Sequence, residues 1–352
     1  MKTGHFCRNI QVRYRGGIGC KTGSSFCALE VSQNTFQFVL HMINQQLFYF
    51  LADFYDGKGF YMERVRKLIH TELPHGEGYF GSGSTVAILD TGITMHPDFR
   101  NRMLDFKDFV NGRTGIYDDN GHGTHLAGII GGSGILSNGK YTGIAPRCHY
   151  IVLKVLDTMG NGNIEAVVRA VDWIISNRVR YNIRFLNISI GMMPQTKREE
   201  QQSLIAAIQT LWEKGICVVA ASGNNGPGVS SVTVPGTIPE LITVGSLDDD
   251  DRVLLKGSMH LGYSGRGPTE ICVTKPEILA PGTHIISCGS HGGYVSKSGT
   301  SMATAVVTGG LAVLGEIYPD FAPSDLKLFL YSKLQRRKGK PGWGDFDFAA
   351  LM

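Results

Sequence analysis

The sequence lacks most of the short signatures that would assign its chemistry to a metal, a nucleotide or a redox couple. It has no CxxC pair and no HExxH helix, so neither a thiolate zinc site nor a zincin-type centre is written in it. No GxGxxG follows the first apolar run of its regular part, which removes the dinucleotide fingerprint. No GxSxG elbow occurs either, which removes the common esterase arrangement. Charge of one sign is scarce: 34 Lys and Arg against 30 Asp and Glu leave +4, and no basic run is longer than Arg336–Lys338. That is a solubilising balance, without the footprint of a nucleic-acid binder. Long apolar runs are missing too. The most apolar stretch, Phe36 to Ala52, is interrupted by His41, Asn44, Gln45 and Gln46, too short and too polar for a membrane span. The opening residues MKTGHFCRNIQVRYR carry charge with no apolar core behind them, unlike a signal peptide. The seven cysteines form no disulfide framework, and Cys148 and Cys217 sit in or beside apolar runs, as buried free thiols do. The expectation is a cytoplasmic protein with no nucleic-acid partner, no membrane span and no cofactor, export by a non-standard route being the alternative.

What is present is a chain of 352 residues, 42% hydrophobic and 18% charged, enough to bury a sizeable core. Its 46 glycines cluster in short loops between apolar runs, where the backbone turns tightly or approaches another group. The chain divides near residue 80. Residues 1–80 have weak periodicity and read as an N-terminal extension, unstructured or upstream of the true start, with Met62 as an alternative start. Residues 81–352 alternate apolar runs with amphipathic stretches. TVAIL (85–89), YIVLKVL (150–156), RFLNISI (184–190), ICVVAA (216–221) and LITVG (241–245) read as strands buried on both faces of a parallel sheet. Ile164, Val167, Val168, Val171, Ile174 and Ile175 fall on one helical face behind Asn163 as N-cap. Leu204, Ile205, Ile208, Leu211 and Trp212 form another, stopped by Gly215. The fold class is therefore α/β: three layers, a mostly parallel sheet with helices on both faces, and chemistry at the carboxyl ends of the strands.

Three residues stand at such ends or at helix starts. Asp90 closes the first run, in VAILDTGI; alone it reads equally well as an Asx turn. His122 lies in DDNGHGTHLAGII, where a capping or metal-binding histidine is the alternative, since His125 is three residues on. Ser301 lies in SGTSMATA at the start of an apolar helix, where the dipole favours negative charge and a plain N-cap is the alternative. Taken together, Asp, His and Ser in that order are the arrangement of one known serine-peptidase class.

The motifs themselves carry a resemblance. DTGI with HPDF after it, GHGTHLAG, GIAP (143–146), ISIG (188–191), ASGNNG (221–226) and GTSMA (299–303) resemble the subtilase family, from about Gly81 to about Leu334. YDDNGHGTH, NGKYTGIAP, LKVLDTMGNG and GRGPT before KPEILAPG look like the intracellular alkaline subtilisins of spore-forming bacteria. The resemblance implies a serine endopeptidase acting on protein or peptide substrates, with Ser301 as nucleophile, His122 as general base and Asp90 orienting it. It implies Asn224 as oxyanion donor, with Asn225 as the adjacent rival. Ser189, Ile190 and Gly191, with Ala221, Ser222 and Gly223, correspond to the walls of the primary specificity pocket, whose small or apolar side chains suit a large apolar residue before the cleaved bond. Gly160, Asn161 and Gly162 correspond to the edge that pairs with extended substrate. The extension would be an inhibitory or folding segment. Two departures stand out: Ala305 and Val306 replace the family's Pro-His, and the run Asp248 to Asp251 begins a longer loop, read as a solvated turn. Asp98 resembles a calcium-ligand aspartate of secreted subtilisins, but loop 133–142 does not match their calcium loop, so no metal is expected.

Overall fold

A strand covered on both faces has no solvent side for polar residues, and the five mostly apolar runs become five adjacent strands for that reason. In the computed structural model, which describes residues 62–191, 198–255 and 257–352, they are β1 (Thr85–Asp90), β3 (His149–Lys154), β4 (Ile183–Ile188), β5 (Cys217–Ala221) and β6 (Ile242–Ser246). Short strands not signalled by the sequence extend the sheet: β2 (Met103–Asp108) on one side, β9 (Ile278–Ala280) and β12 (Gly344–Asp345) on the other. The order is β12-β9-β6-β5-β4-β1-β3-β2, and each adjacent pair is parallel. Two hairpins, β7 (Val253–Leu255) with β8 (Ser258–His260) and β10 (Ile285–Cys288) with β11 (Tyr294–Lys297), lie outside it.

Alternation along the strands assigns the two faces. Ala87, Leu89, Ile151, Leu153, Leu186, Ile188, Val218 and Ala220 pack against α4 (Ile164–Asn177) and α5 (Arg198–Glu213). Asn163 caps α4 by accepting from the Ala166 N–H at 2.7 Å, and Gly215, at φ +83°, follows α5. The opposite face carries α3 (His122–Gly131) and α6 (Thr300–Ile317): Thr308 of α6 donates its hydroxyl to Asn187 of β4 at 3.0 Å. α6 is long and apolar enough to cross a membrane by length and composition, yet 89% of it is buried here. Ala305 and Val306 are fully buried within it, so the helix runs on without the family's Pro-His.

The residues just before position 81 are part of this body. α1 (Met62–Leu68) buries Met62 and Val65, Ile69 is buried between it and α2 (Glu72–Gly76), and the Arg66 guanidinium donates to the Thr142 carbonyl. His70 Nδ1 meets Asp347 at 2.6 Å, near α8 (Phe348–Leu351), and the Phe348 N–H donates to the Ile69 carbonyl. Glu316 Oε2 accepts from the amides of Phe80, Gly81 and Ser82 at 2.7, 2.7 and 2.9 Å. The division read near residue 80 thus falls inside packed structure, and residues 1–61 of the extension read as 1–80 lie outside the described residues. A chain starting at Gly81 should be less stable than one starting at Met62, by on the order of 5 kcal/mol for three buried apolar side chains. Coincident urea midpoints for the two would contradict this.

The Asp248–Asp251 run is not a solvated turn throughout. Asp248 accepts from the Gly282 and Thr283 amides at 2.8 and 3.0 Å, and Asp249, 1% exposed, accepts from the Ser264 amide at 3.1 Å. These carboxylates organise the loops that precede β9 and β10; Asp250 and Asp251 alone face solvent.

Candidate active site

Asp90 is the last residue of β1 and fully buried. Its Oδ1 accepts from the Thr91 amide at 2.8 Å and from His122 Nδ1 at 2.7 Å, which makes a buried carboxylate tolerable. His122 opens α3 behind Gly121, whose φ is +88°. With Nδ1 donating to Asp90, Nε2 is the ring nitrogen left for chemistry. Gly123 makes this approach possible: a Cβ there would collide with the Gly92 carbonyl and stand 3.2 Å from the Asp90 Cβ.

Asp118 was not singled out from the sequence, yet it joins the two loops. It accepts from the Thr91 hydroxyl, the Asn120, Gly121 and Thr124 amides and the Thr124 hydroxyl, at 2.6 to 3.1 Å. Burial would raise its pKa, but the bonds from Thr124, Gly121 and Thr91 outweigh that and hold the carboxyl below its ordinary range. Lys154 is a second such residue: a lysine inside an apolar run, buried, donating to the Thr91 and Leu156 carbonyls and to Asp119 at 2.7 to 2.8 Å. The signals were there, a carboxylate just ahead of a helix start and a charge within a buried strand, but their partners are remote in sequence.

His125 does not share a metal with His122. It is fully buried, and its Nε2 reaches the Ile285 and Val295 carbonyls of the β10–β11 hairpin at 3.0 and 3.1 Å. Burial, with lesser repulsion from Lys297 and His122, pushes its pKa down to about 3. His75 and His96 are lowered too, first of all by burial. Such histidines stay neutral in the folded chain, whereas unfolded histidine takes up a proton near pH 6.5. Stability should therefore be full above about 6.5 and fall as the pH drops towards 3. For His125 the loss is up to roughly tenfold in the folded-to-unfolded ratio per pH unit. His70, raised by its bond to Asp347, works in the opposite sense but is only half-buried. Urea midpoints that do not change between pH 7 and pH 5 would contradict this.

Ser301 is the second residue of α6 and 8% exposed. Its neighbour Thr300 donates both its amide and its hydroxyl to Asn224 Oδ1, each at 3.0 Å. That fixes the Asn224 side chain by its carbonyl and leaves the NH₂ end available next to Ser301. Asn225, the rival, is exposed. α3 and α6 pack along one another, so His122 and Ser301 are first-turn residues of neighbouring helices. No hydrogen bond joins them among the described residues; such bonds often tighten only on substrate. Ser189, Ile190 and Gly191 follow β4, while Ala221 ends β5 and leads through Ser222 and Gly223 to Asn224, so the two segments leave adjacent strands at their carboxyl ends. Gly160, Asn161 and Gly162 form an exposed loop beyond β3, held by an antiparallel bridge between Leu156 and Gly162 and by Asn120 Nδ2 donating to the Thr158 carbonyl at 2.9 Å.

His96, Asp98 and Cys288 bring three buried ligand-type atoms within 4.8 Å of one another. Each is already engaged. His96 Nδ1 accepts from the Asp98 amide and Nε2 donates to the Gly293 carbonyl; Asp98 accepts from the Leu136 amide, the Tyr294 hydroxyl and the Cys288 thiol. The donor set is closed by the protein's own groups, and no metal role is assigned to it.

Residues 81–344 match the family model described as the subtilase family. The chain is 37% identical over 295 residues to serine protease AprX of Bacillus subtilis, spanning 78% of this chain and 64% of that protein's length. It is 32% identical to subtilisin Savinase of Lederbergia lenta, over 72% of this chain and 84% of that one. A cold-adapted subtilisin-like serine proteinase of known structure superposes with a TM-score of 0.62 at 30% identity, covering 77% of this chain and 90% of the other. Sphericase gives 0.65 at 28%, covering 77% and 92%.

Proposed function

The chain belongs to the subtilase family, and from that premise we propose that it is a serine endopeptidase that cleaves peptide bonds through an acyl-enzyme. The observation that carries this reading is the pairing of the 2.7 Å Asp90–His122 bond with an Asn224 amide anchored by Thr300 beside Ser301. Ser301 Oγ attacks the scissile carbonyl carbon as His122 Nε2 takes its proton, and Asp90 stabilises the resulting imidazolium at Nδ1. The carbonyl oxygen, now negative, is bound by Asn224 Nδ2 and by the Ser301 N–H, which lies in the first turn of α6 and has no acceptor within the helix. Collapse breaks the C–N bond, and the amine leaves with the proton from His122. Water then repeats the sequence and frees Ser301.

Substrate would lie extended along Gly160, Asn161 and Gly162. The residue before the cleaved bond would enter between Ser189–Gly191 and Ala221–Gly223, whose small or apolar walls suit a large apolar side chain. An inhibitory role is proposed for the N-terminal extension read as residues 1–80. A cytoplasmic location is proposed with it, in keeping with the free thiols of Cys148, Cys217, Cys272 and Cys288. Incubating the full chain with an unfolded protein and mapping the products by mass spectrometry tests the reading. Internal cleavages are expected; trimming confined to the termini would overturn it.

A further inference from the structure

The β7–β8 hairpin turns its apolar side to water. Across its two strands Val253 pairs with His260 and Leu254 with Met259. Directly opposed residues share a face, and successive residues alternate between faces. Val253 is 1% exposed, so its face is the one turned to the body of the protein. The other face carries Leu254 and Met259, 68% and 63% exposed, and Leu261, two residues past Met259, is 53% exposed. A solvent face is where alternation normally places polar side chains. Three large apolar residues gathered there form a patch of the kind that meets another molecule.

Two strands alone are marginal in water, and this pair is pinned at its base. The Gly262 N–H donates to the Asp249 carbonyl at 2.6 Å, and the Asp249 carboxylate accepts from the Ser264 amide at 3.1 Å. Among the described residues β7 and β8 pair only with each other, so each has an outer edge with no strand beside it. Such edges accept an extended chain.

Position decides the occupant. The Gly226 N–H donates to the Tyr263 carbonyl at 2.8 Å, and a Cβ placed on Gly226 would stand 2.6 Å from the Gly262 carbonyl oxygen. Gly226 is two residues past Asn224, so Leu261 lies within roughly 15 Å of the proposed oxyanion donor, the reach of about five extended residues. Sheet order gives the direction. The proposed substrate edge at Gly160–Gly162 follows β3, the proposed pocket walls follow β4 and β5, and the hairpin follows β6, the next strand in the sheet. A chain running from the first to the second is heading for the third. The patch therefore lies on the side of the residues that come after the cleaved bond.

We propose that the face formed by Leu254, Met259 and Leu261 is a docking surface for an extended, apolar stretch of the substrate polypeptide a few residues after the cleaved bond. The proposal rests on the peptidase reading and deepens it by naming the substrate class, unfolded chains. A folded protein keeps its apolar stretches inside, whereas a chain that has lost its structure offers them to this surface.

The test uses peptides identical up to the cleaved bond. One ends two residues after it; two others continue for six residues more, rich in Leu and Phe in the first and in Ser and Asn in the second. In the parent enzyme the apolar extension should raise kcat/KM over the short peptide by about tenfold, as burial of one large apolar side chain supplies, and the polar extension should not. In the variant combining Leu254→Ser, Met259→Ser and Leu261→Ser, the ratio of apolar-extended to short peptide should return to about one, with the urea midpoint unchanged because these side chains face water. Equal rates for the two extensions in the parent, or a gain that survives in the triple variant, would overturn the proposal. A parent that dimerises in sedimentation through this face, with the triple variant monomeric and the peptide gain intact, would assign the face to a second copy and overturn it as well. Cleavage of the short peptide with a fluorophosphonate adduct on Ser301, but no effect of extension, removes this surface and leaves the peptidase reading standing. Absence of both cleavage and adduct removes the peptidase reading and the surface with it.

Discussion

Ser301→Ala should abolish peptide hydrolysis, lowering turnover by about 10⁴ to 10⁶-fold, while the protein remains folded. The size of the effect follows from the proposed role of Ser301 as the nucleophile. Cys148, Cys217 and Cys288 are buried, and burial pushes the thiol pKa of Cys148 up to about 11 and that of Cys217 up to about 12, so neither is a competing nucleophile at neutral pH. The fold should be spared because alanine suits a helix and the anchoring bonds here run through Thr300. Circular dichroism and the urea midpoint check the fold; the rate of peptide cleavage checks the loss. Activity near that of the parent would remove Ser301 from the mechanism.

Asn224→Ala should lower kcat by about 10² to 10³-fold with little change in KM, because the amide meets a charge that exists only in the transition state. The geometry adds a second consequence. Alanine also removes the acceptor for the Thr300 amide and hydroxyl, and Thr300 is 1% exposed, so stability should fall by about 1–3 kcal/mol. Asn224→Asp separates the two effects: it restores an acceptor for Thr300 but replaces the donor with a negative charge, so stability should recover and kcat should not. The kinetic signature appearing in Asn225→Ala instead would move the oxyanion donor to the neighbouring residue.

What could be read from the sequence was what depends on neighbours in the chain. The five buried strands are mostly apolar runs too short for a helix and rich in β-branched side chains, which marks them as strands. Asp90, His122 and Ser301 carry their glycines and helix starts with them, so the strand end and both helix N-termini were visible locally. The rest depends on contacts between distant segments. β9 and β12 are too short to show a period, and the segment of α1 and the turn after it offers only Met62, Val65 and Ile69 as buried apolar residues. Asp118 resembled any loop carboxylate until Thr91 and Thr124 converged on it. The Asp248–Asp251 run looked solvated because four adjacent acids usually are; the amides of Gly282 and Thr283, which hold Asp248, lie in a different loop.

The central claim is that Ser301 is a nucleophile activated by the Asp90–His122 pair. Its most direct measurement is reaction of the folded full chain with a fluorophosphonate, followed by peptide mapping in a mass spectrometer. One adduct is expected, on the Ser301 hydroxyl, formed rapidly by the parent and lost in His122→Ala, in which Ser301 is still present but nothing takes its proton. A folded protein that forms no adduct, or forms it at another residue, or labels equally well without His122, would contradict the account.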